Sequence, residues 1–195
     1  MIRPSAVILI LTMPGCANHE TLPAAKSVQV EYVVTGVTPL KQKSSMACWI
    51  TCAAMLKSWK EGDLVSPEQL AKTLGEFWLN LFQTDTGLPR EKYLEFAKDA
   101  GLRFQWPANW LPEGYINLLK DHGPLWIASG VSSHARVLYG VVKRGEKFIM
   151  LFMDPASGTA REEAFQDFFP EFEKEAVLIV GYRPDLALPV QILHY

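Results

Sequence analysis

Residues 42–59 read QKSSMACWITCAAMLKSW. From Ser45 to Lys60 the pattern is helical, with Cys48, Cys52, Met55 and Trp59 recurring at three- and four-residue spacing on one face. Gly62 supplies the stop. A helix that only fills a core needs neither a Cys-Trp pair at its mouth nor a glutamine six residues before the cysteine. A thiolate nucleophile can use both. A helix N-terminus and a nearby imidazolium each favour the thiolate over the thiol. Cys48 stands near the helix start, behind the turn-like KSSMA. Cys52 lies on the apolar face beside Met55 and reads as core, and Trp49 reads as a packing residue.

Working outward, residues 21–40 read as a linker running into an extended strand, with Val28, Val30, Tyr32 and Val34 alternating onto one face and Pro39 ending it. Downstream, SPEQLAKTLG opens with Ser66 as N-cap, Pro67 at the first helical position and Gln69 as capping-box partner. LPREKYLEFAKDAG and PEGYINLLKDHG predict two further helices, closed by Gly101 and Gly123. The period then changes. PLWIASGV, HARVLYGVVK, KFIMLFMD and EAVLIVGYR are rich in β-branched and aromatic residues, and Lys143-Arg144-Gly145-Glu146 suits a hairpin turn. Helices followed by a mostly antiparallel sheet predict an α+β domain with one core. The aromatic runs WLNLFQ and FQWPANWLP fit either that core or the wall of a groove.

A thiol nucleophile needs a base. Of the histidines, His19 lies in the N-terminal tail, His194 beside the C-terminus and His122 at a helix end. His134 opens the strand HARVLYGVV, a rigid position, and is the better base. Asp154 closes the next strand, so a hairpin through residues 143–146 brings the far ends of the two strands together. An acid at the imidazole Nδ1 would fix the tautomer and favour the charged ring. Negative charge developing on the attacked carbonyl oxygen needs donors, which the Cys48 N–H and the neutral amide of Gln42 can supply.

Gln42, Cys48-Trp49, His134 and Asp154-Pro155, in this chain order, resemble the papain-like cysteine peptidases, and among them the bacterial papain-like and bacteriocin-leader-peptidase-like branches. The likeness spans roughly residues 40–155. It implies a papain-like fold, with the nucleophile helix packed on the sheet. It also implies Gln42 as oxyanion donor, Cys48 as nucleophile, His134 as base and Asp154 as its orienter. Asp-Pro stands where papain has an Asn-Ser-Trp stretch, and the segment between Cys48 and His134 is short for papain itself. The implied activity is cleavage of peptide or amide bonds through a thioester, with no metal or cofactor. A thioester-forming acyltransferase or transglutaminase-like enzyme, a cell-wall amidase, and a non-catalytic binding lipoprotein are the alternatives.

The 195 residues, 49% hydrophobic and 21% charged with net charge −2, suit one globular domain and give no broad basic surface for nucleic acid. The N-terminus differs. The apolar run Ala6–Met13 is too short to span a bilayer and reads as a secretory signal, and Gly15-Cys16 resembles a bacterial lipoprotein cleavage site. The expected layout is an N-terminal signal or lipoprotein-type segment over 1–25 and a single domain over 26–195, exported and attached to a membrane if Cys16 is lipidated. Cys48 and Cys52 match neither a zinc pattern nor a disulfide framework.

Overall fold

The structure is a computed structural model and describes residues 31–105, 111–129, 134–168 and 177–181. The segment carrying Cys16, together with His19 and His194, lies outside the described residues. Most of the helices precede most of the sheet. β1 (Tyr32–Val33) precedes α1 (Cys48–Glu61), α2 (Pro67–Leu74), α3 (Glu76–Gln83) and α4 (Tyr93–Asp99). Then come β2 (Leu102–Gln105), α5 (Pro112–His122), β3 (Leu125–Ser129), β4 (His134–Arg144), β5 (Lys147–Asp154), β6 (Thr159–Ala164) and β7 (Val177–Gly181). The sheet runs β2-β7-β3-β4-β5-β6, with β1 also paired to β4, and these pairings are antiparallel. The fold is α+β, as the change of period implies.

The helix that carries Cys48 begins at Cys48 rather than at Ser45 and runs to Glu61. Cys48 through Leu56 are all buried, so α1 runs through the core. It packs on β3, β4 and α2, while Trp49 meets Trp78 at 6.1 Å and Phe96 at 5.1 Å between ring centres. Its two buried hydroxyls are satisfied locally: Thr51 Oγ1 donates to Ala47 O at 2.8 Å and Ser58 Oγ to Ala54 O at 2.7 Å. The Trp126 indole N–H donates to Trp49 O at 2.9 Å and ties the helix to β3.

Helix boundaries follow the local chemistry. The Ser66 hydroxyl accepts from Gln69 N–H and the Gln69 side chain accepts from Ser66 N–H, which completes the capping box at α2. WLNLFQ belongs to α3, where Trp78 and Leu81 are buried; FQWPANWLP lies mostly outside the described residues. Two strands lie outside the runs read as strands from the sequence. β6 (TAREEA) is an edge strand, mostly exposed, held by its ladder to β5 and by Arg144–Glu162 and Arg136–Glu163 ion pairs at 2.6 and 2.7 Å. β2 is a four-residue strand that takes its register from β7. Of the expected first strand, Tyr32–Val33 form β1 and Val34 falls outside it, while Val28 and Val30 lie outside the described residues.

Candidate active site

Cys48 is the first residue of α1 and is 7% exposed. The helix has no side-chain N-cap bond and no acidic residue in its first turn. Its ladder begins where Thr51 N–H donates to Ala47 O at 3.1 Å. The N–H groups ahead of Thr51 therefore have no intrahelical acceptor, and the positive end of the helix dipole falls on the thiol.

His134 begins β4, opposite Ser129 of β3. Asp154 ends β5, and its Oδ1 lies 2.8 Å from His134 Nε2. The acid therefore sits on Nε2, not on Nδ1 as the sequence reading had it. The correction matters because Nδ1 is left for the sulfur, and His134 hydrogen-bonds Cys48. That bond is the main reason the imidazole stays protonated above its ordinary pH range; burial opposes it, and Asp154 adds to it. Burial pushes the Asp154 carboxyl up, but hydrogen bonds from His134 and the Ala156 N–H outweigh burial, and its pKa lies below the ordinary value. The Ala156 N–H reaches Oδ1 at 2.9 Å, so Asp154 also shapes the turn that Pro155 continues.

Pairing the two side chains depends on a bulge. Near the turn the register is Arg144 with Lys147 and Gly140 with Leu151, even residues of β4 opposite odd residues of β5. Continued unbroken, this would set Asp154 on the Val137 face, away from His134. An irregularity between Leu138 and Gly140 leaves Tyr139 as the extra residue. Beyond it Leu138 pairs with Phe152, and even residues face even residues. His134 and Asp154 then become diagonal neighbours on one face. The available signal was Gly140, since glycine inside a strand marks a bulge or a close backbone approach. A Cβ there would lie 3.2 Å from the Tyr32 carbonyl oxygen.

Gln42 is brought to the same place. Its N–H donates to Pro155 O at 2.8 Å, and Gly158, with φ +71°, admits the chain so closely that a Cβ would lie 2.7 Å from Lys41 Cβ. The Gln42 amide Nε2 donates to Ser44 O at 2.8 Å and Ser45 O at 2.9 Å. Its Oε1 is buried and has no hydrogen-bond partner among the described residues. Beside Cys48 opens a cleft of about 440 Å³, walled by Met46, Gly87, Leu88, Tyr93, Trp126 and Ala135. Cys52 is fully buried and its thiol is pushed well up by burial, as expected of a core residue. Among the described residues no three His, Cys, Asp or Glu side chains gather as metal ligands.

Two contributors escaped the sequence reading. Arg136 lies 4.1 Å over the Phe152 ring and adds positive potential near Asp154. Asp85, in the turn after α3, reaches the loop before Cys48. Neither residue type at its position carries a signature in the linear chain.

A cysteine opening a core helix, a histidine on the facing sheet and an acid on the next strand make up the arrangement of the papain-like cysteine peptidases. Residues 29–173 match the family model described as papain-like cysteine protease AvrRpt2, and the chain belongs to that family. No curated protein matches it. The protein is thus a papain-like cysteine peptidase, and its substrates are proteins or peptides.

Proposed function

We propose that the peptidase works through Cys48 as nucleophile, His134 as acid and base, Asp154 as orienter and Gln42 with the Cys48 N–H as oxyanion donors. The observation that carries this is the His134 ring shared between Cys48 and Asp154, with Nε2 at 2.8 Å from the carboxylate. The Cys48 sulfur attacks the scissile carbonyl carbon, and a C–S bond forms. His134 gives its Nδ1 proton to the leaving amine as the C–N bond breaks. Water then attacks the thioester, His134 takes its proton, and the acid leaves with the thiol regenerated. The carbonyls of Ser44 and Ser45 are adjacent and can share one Gln42 amide hydrogen as a three-centre bond, which frees the other for the oxyanion.

The test is cleavage of a peptide library, read by mass spectrometry, beside iodoacetamide labelling near neutral pH. Cys48→Ala abolishes cleavage, and His134→Ala lowers kcat/KM roughly 10²–10⁴-fold and slows labelling of Cys48. Cleavage that persists in Cys48→Ala sinks the assignment. Adding a primary amine separates hydrolysis from acyl transfer, since hydrolysis yields the free acid and transfer yields an amide. Export of a single domain spanning 26–195 is proposed from the apolar run Ala6–Met13 and Gly15-Cys16. Fractionation of bacterial cells making the full chain and its Cys16→Ala variant tests that.

A further inference from the structure

Among the described residues Asp85 is the one non-glycine residue with positive φ, +53°. Aspartate tolerates this left-handed conformation better than most residues, yet something must hold it there. The turn is anchored on α3, where Asp85 N–H donates to Phe82 O at 3.3 Å and Thr86 N–H to Leu81 O at 2.9 Å. In this conformation the carboxylate meets a segment about forty residues earlier. Oδ1 accepts the Met46 N–H at 2.8 Å, and Oδ2 accepts the Ser45 hydroxyl at 2.8 Å. Hydrogen bonds from Ser44, Met46 N–H and Ser45 keep the carboxyl ionised below the ordinary carboxylate range.

From the other side comes Gln42. Its Nε2 binds Ser45 O at 2.9 Å. Ser45 C=O and Met46 N–H are the two ends of one peptide unit, so that unit is gripped at both ends and cannot rotate without losing one grip. Two residues further on is the Cys48 N–H. Tilting the Ser45–Met46 plane would swing the donors at the mouth of α1 away from the carbonyl under attack. The same turn continues into Gly87, Leu88 and Arg90, which wall the cleft. Gly87 lies so close to Met46 that a Cβ would come 2.6 Å from Met46 Cε.

We propose that Asp85 is a positioning residue for the oxyanion site, holding the Ser45–Met46 peptide from the N–H side while Gln42 holds it from the C=O side. This rests on Cys48 being the nucleophile. Removing Asp85 disturbs where the oxyanion donors sit and leaves the Cys48–His134 pair in place. Alkylation by iodoacetamide forms no oxyanion, so it reports on the pair alone. Peptide hydrolysis reports on both.

The experiment compares Asp85→Ala, Asp85→Gly and Asp85→Asn with the unaltered protein, measuring kcat, KM, the Cys48 alkylation rate and Tm. Ala and Gly lower kcat roughly 10–10²-fold with a smaller change in KM, while alkylation stays within about twofold. Gly adopts the left-handed conformation freely, so it loses only the carboxylate's bonds, and a Tm that stays above the assay temperature shows that its kcat loss is not unfolding. Asn recovers most of kcat, because its amide oxygen accepts the Met46 N–H and its NH₂ can donate to Ser45 Oγ. The proposal is overturned by a kcat within about twofold in Asp85→Gly, by alkylation falling in step with kcat, or by no recovery in Asn at unchanged Tm. Failure of the nucleophile assignment shows separately, as hydrolysis surviving in Cys48→Ala.

Discussion

Which nitrogen of His134 faces the acid governs what the ring can do at the residue scale. With Asp154 on Nε2, the Nδ1 proton is the one that the proposed mechanism gives to the leaving amine. His134 has its pKa raised, so its pairing stabilises the fold fully below about pH 6.5 and that contribution is lost as pH rises through the folded-state value. The Asp154 pKa is lowered, so its contribution is present above about pH 4 and is lost as pH falls through the folded-state value. Asp154→Asn removes the charge and keeps an acceptor for Nε2–H. The His134 pKa then falls, and the alkaline limb of kcat/KM moves to lower pH. An imidazole titration by NMR beside a pH–rate profile checks both. Cys48, His134, Asp154 and Gln42 could be proposed from the sequence because each residue type suits one chemical task. Asp85 could not, because an aspartate in a loop turn looks the same whether or not its carboxylate reaches another segment.

At the scale of elements, local rules and close approaches divide the work. The capping box at Ser66 and the glycine stops are written in the sequence because they join residues a few positions apart. Gly123 shows the other kind of constraint. It ends α5 with φ +79°, and a Cβ there would lie 2.2 Å from the Trp59 ring, which is itself fixed by its N–H bond to Thr35 O at 3.0 Å. Gly123→Ala combines left-handed strain with overpacking and destabilises the protein by about 2–4 kcal/mol. Urea unfolding measures this as a lower midpoint at unchanged slope. The bulge at Tyr139 belongs to this scale as well. Counting residues back from the turn gives the correct neighbours, His134 and Asp154, but not the face they share.

Over the whole molecule, the two halves of the proposed catalytic pair come from different layers. Cys48 rides on α1 and His134 on the sheet, so their distance depends on how the helix seats on β3 and β4. The Trp126–Trp49 hydrogen bond is one link across that seam. Trp126→Phe keeps most of the packing, removes this buried bond and lowers stability by about 1–3 kcal/mol. Because the seam carries the proposed Cys48–His134 dyad, kcat falls as well under that proposal, and calorimetry with steady-state kinetics on the same variant reads both. The chain alone determined the class of fold, through the change from helical to alternating period. It also pointed to the proposed chemistry, through a cysteine at a helix start and a histidine and an acid at strand ends. Tertiary structure alone decided the ring nitrogen that meets the acid, the face His134 and Asp154 share, and the two-sided hold on the Ser45–Met46 peptide. The reason is physical: periodicity and capping act within a turn or two of chain, whereas register, bulges and side-chain reach are set by contacts between distant segments once the core has packed.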